Sequence, residues 1–151
     1  MTTDPLTFDL KDEAATRALG ARLGARLKAG DIICLSGELG AGKTSLSRGL
    51  IMALTGAIEV PSPTYTLVQT YNAPQFEIWH FDLYRLKSPE EIWQLGVEDA
   101  FYDGACLIEW PSRLGDLRPE GTLDIEIIFN GDGRKAIFTP PPHWEARLHD
   151  L

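Results

Sequence analysis

The sequence predicts an α/β fold, three layers with a mixed, mostly parallel sheet. Three observations carry that expectation. Short apolar runs of strand length alternate with longer segments whose apolar residues recur every three or four positions. Two of the runs, Ile32–Ser36 and Ala105–Glu109, are compact and apolar, as in parallel strands covered on both faces. A glycine-rich turn, Gly37–Gly42, joins the first of them directly to a helical segment.

The elements follow in order. Leu6–Leu10 alternates apolar and polar residues and reads as an edge strand. A helix starts near Asp12, a suitable N-cap, with an apolar face of Ala15, Ala18, Leu19, Leu23 and Leu27, and Gly30 is expected to end it. After strand Ile32–Ser36 and the turn, Leu46, Leu50, Ala53 and Leu54 mark a helix from Lys43 to about Thr55. Pro61 and Pro63 keep the next connection extended. Thr64–Tyr71 and Phe76–Asp82, rich in β-branched and aromatic residues, read as strands joined by a short turn. Ser88-Pro89-Glu90-Glu91 has the residues of a capping box with proline at the first helical position, and Gly96 can end that helix. Strand Ala105–Glu109 comes next, then a hairpin of Thr122–Phe129 and Arg134–Thr139. Pro140–Pro142 breaks the sheet pattern, and a short helix closes the chain.

Composition narrows the function. At 151 residues and 44% hydrophobic, the chain is the size of one domain, residues 1–151, and can bury a full core. A formal net charge of −8 repels phosphate backbones over most of the surface, which disfavours direct tight binding to DNA or RNA. Cys34 and Cys106 sit inside apolar runs and read as small core residues, with no metal-ligand spacing around them. The longest apolar stretches are about five residues, far short of a membrane span. The N-terminus lacks the basic and apolar regions of a signal peptide. A reduced, cytoplasmic protein is the simplest expectation.

Gly37-Glu38-Leu39-Gly40-Ala41-Gly42-Lys43-Thr44 fits G-x-x-x-x-G-K-[ST] at every fixed position. Glycines let backbone N–H groups approach phosphate closely, and the helix that follows points its positive end at them. The Lys43 ammonium can reach the outer phosphates, and the Thr44 hydroxyl is a hard oxygen donor suited to Mg²⁺. The phosphate cradle is therefore expected to comprise Glu38, Leu39, Gly40, Ala41, Gly42, Lys43, Thr44 and Ser45. No Asn-Lys-x-Asp or Thr-Lys-x-Asp follows, so the usual guanine reader is missing and ATP is favoured over GTP.

A phosphate loop of this kind works with an acid at the end of a neighbouring strand. Asp82 and Glu109 each end a strand, and both are placed suitably if those strands run parallel to Ile32–Ser36. A threonine that senses the last phosphate is also expected, and Ser62, Thr64 and Thr66 lie in a proline-ordered segment. His80 faces the same way as Asp82 and suits a core or a functional role equally. Arg85, Arg113 and Arg134 are candidates for phosphate or base contacts, though surface arginines are common. Trp110, directly after Glu109, could pack near the nucleotide, against a partner or into the core.

These segments together resemble the TsaE family, formerly called YjeE. The resemblance rests on the phosphate loop, Ser62-Pro63-Thr64-Tyr65-Thr66-Leu67-Val68, His80-Phe81-Asp82-Leu83-Tyr84-Arg85 and Ile108-Glu109-Trp110-Pro111, in the family's order. It spans roughly Asp12 to Leu114, with the C-terminal hairpin matching more weakly. It implies a P-loop NTPase-like fold and an ATP-hydrolysing, Mg²⁺-dependent subunit in the formation of N6-threonylcarbamoyladenosine in tRNA, beside the anticodon. It implies TsaD and its paralogue TsaB as partners, with TsaD as the transferase and tRNA contacted mainly through them. It also implies that Lys43 contacts phosphate, that Thr44 and Glu109 hold Mg²⁺, and that Asp82 and Thr64 belong to the hydrolytic site. Lys11, Asp12 and Arg134 are expected near the base. One departure is Ser112, where members often carry an acid after the Trp-Pro pair.

Two rival readings use the same loop. A small-molecule or nucleotide kinase would need an arginine-rich lid and an acceptor pocket, and no long arginine-bearing insertion is present. A nucleotide-gated binding module would hold ATP without a residue that positions water.

Overall fold

The computed structural model describes residues 4–63 and 65–151. They form a seven-stranded sheet from β1 (Leu6–Leu10), β2 (Ile32–Ser36), β3 (Val68–Asn72), β4 (Glu77–Asp82), β5 (Ala105–Glu109), β6 (Leu123–Asn130) and β7 (Gly133–Thr139), in the order β1-β7-β6-β2-β5-β4-β3. The four central strands, β6, β2, β5 and β4, run parallel. The outer pairings, β1 with β7, β7 with β6 and β3 with β4, are antiparallel. The apolar runs at Ile32 and Ala105 therefore occupy the covered middle of the sheet, as their composition requires.

Two helices cover one face: α1 (Glu13–Gly24) and α2 (Lys43–Thr55). Asp12 caps α1 by accepting a hydrogen bond from the Ala15 N–H at 2.8 Å, a contact worth about 1 kcal/mol. Leu19, Leu23, Leu46 and Leu50 pack onto Ile33, Leu35, Ile78 and Leu107 of the sheet. The helices approach so closely that a β-carbon on Gly49 would lie 2.1 Å from the Arg17 carbonyl, and one on Gly20 as close to that of Leu46. The opposite face, with Cys34, Phe81, Cys106 and Ile108, is covered by Leu83, Leu86, Ile92, Val97, Ala100 and Leu114. These come from α3 (Val97–Asp103) and the 3₁₀ segments Pro89–Leu95 and Pro111–Leu117, with the turn after β4. The result is the expected three layers.

Several expectations about element bounds are corrected. The first helix ends at Gly24, and Gly30 lies in the turn beyond. From Arg26 onward the chain makes three-residue turns (Arg26 N–H to Leu23, Leu27 N–H to Gly24) that still bury Leu27. Helical spacing thus outlasts the helix. The strand expected over residues 64–71 begins only at Val68, because Tyr65 and Thr66 form a turn and Leu67 takes a left-handed φ of 68°. At Ser88 the capping box forms as read, with Glu91 Oε1 accepting from the Ser88 N–H at 2.9 Å, but the segment winds as 3₁₀ and Gly96 then opens α3, which the pattern did not announce. The C-terminus closes in two 3₁₀ turns, Pro142–Trp144 and Ala146–Leu148. There Arg147 pairs with Asp31 at 2.6 and 2.9 Å and lies 3.8 Å over the buried Trp144 ring. No helix among the described residues is long and apolar enough to cross a membrane.

Candidate functional site

The site forms where the central strands end. Because β2, β5 and β4 are parallel, their carboxyl ends lie on one edge, and α2 starts there from the loop after β2. Asp82 and Glu109, the last residues of β4 and β5, are paired in register. Both are almost fully buried, at 5% and 2% exposure. The sequence condition on these acids, strands parallel to Ile32–Ser36, is met.

The loop is shaped by its first glycine. Gly37 has φ 143°, and a β-carbon there would meet the Ile127 carbonyl oxygen at 2.4 Å, so the chain passes β6 too closely for a side chain. Lys43, in the first turn of α2, is buried. Its Nζ donates to the carbonyls of Gly37 at 2.7 Å and Glu38 at 2.8 Å. It also sits 4.5 Å from the centre of the Trp110 ring, an attraction between cation and ring face. Burial pushes the Lys43 ammonium below its ordinary range, and the carboxylates of Glu109 and Asp82 partly restore it. Thr44 donates to Glu109, 3.1 Å from Oε1 and 3.2 Å from Oε2.

Trp110 reaches Lys43 through an unusual backbone. Its φ of 60° and ψ of 52° are left-handed, a conformation that bulky residues rarely adopt and that gathers at functional sites. Its N–H donates to the Leu35 carbonyl at 3.2 Å. Tyr84 packs on it at 4.9 Å, and Arg113 lies 5.6 Å over Tyr84. Asp82 Oδ1 accepts from the Tyr84 N–H at 3.1 Å.

One cleft is lined by Leu39, Gly40, Gly42–Ser45, Ser62, Asp82, Glu109 and Trp110. A second, beside it, is lined by Asp12, Glu13, Thr16, Gly40–Gly42, Ser45, Arg48 and Asp132–Arg134. Arg134 donates to its own neighbour Gly133 and to Gly40 at 3.4 Å, and its guanidinium stacks 4.2 Å over Phe129. Lys11 lies outside that second cleft, in a hollow shared with Asp132–Arg134. Thr64 lies outside the described residues. Thr66 is exposed and accepts from Gln69 rather than entering the cleft. Arg85 stacks over Tyr65 at 4.6 Å. Arg48 and Asp132 carry no motif, and only packing of α2 and the β6–β7 turn against the loop brings them in.

The donor set suits a hard divalent cation: one hydroxyl and two carboxylates converge near the start of α2. Among the described residues, no group of three or more His, Cys, Asp or Glu side chains forms a metal cage. The hydroxyl and two carboxylates fit an ion such as Mg²⁺, which is held by few protein ligands together with phosphate oxygens and water.

A phosphate loop at the carboxyl edge of a parallel sheet, with paired strand-end acids beside it, defines an α/β protein of the P-loop class. Comparison with known proteins narrows the class. Residues 10–137 match the family described as Threonylcarbamoyl adenosine biosynthesis protein TsaE. The chain is 39% identical over 127 residues to the tRNA threonylcarbamoyladenosine biosynthesis protein TsaE of Rickettsia bellii, covering 83% of this chain and 88% of that one. It is 36% identical over 152 residues to the protein of the same name from Nostoc sp., covering 93% of each. Its fold superposes on the crystal structure of YdiB from Bacillus subtilis with a TM-score of 0.80 at 27% identity, over 99% of this chain and 95% of that one. The chain belongs to the TsaE family, as its four sequence blocks had indicated.

Proposed function

We propose that this protein is a Mg²⁺-dependent ATPase subunit that supports N6-threonylcarbamoyladenosine formation in tRNA, with TsaB and TsaD as its protein partners. The observation that carries the reading is the convergence of Lys43, Thr44, Asp82 and Glu109 at one sheet edge. Family membership supplies the tRNA role, and the chemistry of the cleft supplies the nucleotide.

In this reading backbone N–H groups from Glu38 to Ser45 and the start of α2 receive the phosphates. Lys43 leaves the Gly37 and Glu38 carbonyls and donates to the outer phosphate oxygens instead. A partly desolvated ammonium suits that exchange, because a charge-assisted bond to phosphate is stronger than one to a neutral carbonyl. Thr44 and Glu109 would hold Mg²⁺, which when bound neutralises charge on the phosphate oxygens. Asp82 and Thr64 orient the attacking water, a role supported by the place of Asp82 beside Glu109 and of Ser62 in the same cleft. Arg134 and Lys11 contact the base from the β6–β7 side. The net charge of −8 leaves the main tRNA surface to the partners, and a role in tRNA modification accords with a cytoplasmic site of action.

Calorimetry with a non-hydrolysable ATP analogue tests the core of this. Lys43→Ala should abolish binding, and unchanged affinity would sink the reading. The partner claim predicts ATP-dependent co-elution of the chain with TsaB–TsaD. Transfer of labelled phosphate to a small acceptor would instead identify a kinase, and binding without turnover even in the complex would identify a nucleotide-gated module.

A further inference from the structure

We infer that His80 is a positioning residue that fixes the orientation of the Glu109 carboxylate toward Thr44 and the phosphate loop. The inference rests on the magnesium–nucleotide reading of the site and adds to it a residue that touches neither phosphate nor water.

His80 Nε2 lies 2.6 Å from Glu109 Oε2, and both side chains are buried, at 0% and 3% exposure. Parallel pairing sets this up. His80 is opposite Leu107 and Asp82 is opposite Glu109, so the Glu109 side chain reaches back along the sheet, two residues, to meet the ring. Both residues stand on rigid strands, which hold a side chain more tightly than a loop does.

The protonation pattern follows from the partner. An ionised carboxylate only accepts, so Nε2 carries the ring proton and donates it. Among the described residues, Nδ1 is buried with no hydrogen-bond partner. Packing alone would be met by an apolar residue of similar volume. Among the described residues, the one hydrogen bond the imidazole makes is that to Glu109.

That bond has a consequence for the cleft. Thr44 Oγ1 lies 3.1 Å from Oε1 and 3.2 Å from Oε2, and because Oε2 alone also takes the ring bond, Oε1 is the oxygen left for a hard cation or its water. Without the ring, the carboxylate can turn about its last bond under the pull of the nearby Lys43 charge. Histidines and carboxylates that orient metal ligands typically contribute 10–100-fold to metal affinity or activity.

The test uses the full chain with His80→Leu, which removes the donor, and His80→Gln, whose amide N–H replaces Nε2–H. Affinity for a non-hydrolysable ATP analogue is measured with Mg²⁺ and with EDTA, alongside urea denaturation. His80→Leu should cut the Mg²⁺-dependent gain in affinity by about 10–100-fold while affinity in EDTA is unchanged, and His80→Gln should recover most of the gain. An unaltered gain in His80→Leu overturns the inference. So does a loss as large in His80→Gln as in His80→Leu when both are as stable as the parent. Should neither variant fold, proton–nitrogen NMR of the three histidine rings in the parent decides. One ring must be protonated at Nε2 and slow to exchange, and must shift when Mg²⁺ is added to the analogue complex. Protonation at Nδ1, or no response to Mg²⁺, overturns it. A parent that binds no analogue fails earlier, at the nucleotide reading itself.

Discussion

Thr44 Oγ1 lies 3.1 and 3.2 Å from the two carboxylate oxygens of Glu109, a contact between side chains 65 residues apart. The hydroxyl belongs to the first turn of α2 and the carboxylate to the last residue of β5. Because Glu109 only accepts, the Thr44 hydrogen points toward it and the hydroxyl lone pairs are left for the cleft. The same carboxylate takes the His80 bond, so Glu109 is held by two donors from two different elements.

Removing that acceptor should affect turnover more than binding. In Glu109→Ala, Thr44 and His80 both lose their partner while the loop N–H groups and Lys43 remain. ATP hydrolysis should fall by about 10–100-fold or more, with analogue affinity in EDTA close to the parent value. Steady-state hydrolysis and calorimetry measure the two, and equal hydrolysis rates would reject the assigned role.

Trp110 should report on the state of Lys43. Its ring lies 4.5 Å from the ammonium, and drawing Lys43 onto phosphate changes that contact. A change in tryptophan emission on adding ATP analogue is expected, and it should disappear in Trp110→Phe, which keeps Trp79, Trp93 and Trp144. A signal that survives in the variant would assign it elsewhere.

Gly37 limits what the loop accepts. With φ at 143° and Ile127 O 2.4 Å from any β-carbon, Gly37→Ala should cost about 1–3 kcal/mol and weaken analogue binding together, because relieving the clash shifts the backbone whose carbonyl holds Lys43. Urea denaturation and calorimetry on one sample check both.

Gly49 is a packing glycine far from the chemistry. Its β-carbon would fall 2.1 Å from the Arg17 carbonyl, so Gly49→Ala must push α1 and α2 apart. About 1–3 kcal/mol of destabilisation is expected, read as a lower urea midpoint. An unchanged midpoint would show that the helices do not pack as closely as described.

The cysteines predict an alkaline weakness. Burial pushes the Cys34 thiol from 9.0 up to about 11 and raises that of Cys106 as well. Folded-state values above the unfolded ones contribute stability that is complete below pH 9.0 and is lost as pH rises through the folded values. The urea midpoint should therefore fall from about pH 9 to 11, and a Cys34→Ala, Cys106→Ala variant should show less of that fall. At neutral pH a thiol reagent should label neither cysteine until the chain unfolds.

By itself the sequence determined the phosphate loop, the caps at Asp12 and Glu91, the buried middle strands and the strand-end acids. Each of these is a local matter: a glycine spacing, a side chain three residues from an N–H, or an apolar run of strand length. It could not fix where α1 ends, since Leu27 is buried at helical spacing by a turn that is not a helix. Nor did it announce α3, seven residues between Gly96 and Gly104, too short for a periodic signal. The tertiary structure decided what the acids touch, because strand order and register are set by contacts between segments far apart in the chain. Parallel pairing of β4 with β5 put His80 within reach of Glu109, and β5 beside β2 put Glu109 under Thr44. The left-handed turn at Trp110 and the stacking of Arg134 beside the loop have the same origin. They depend on where the sheet brings residues together, and that information is not carried by any single stretch of chain.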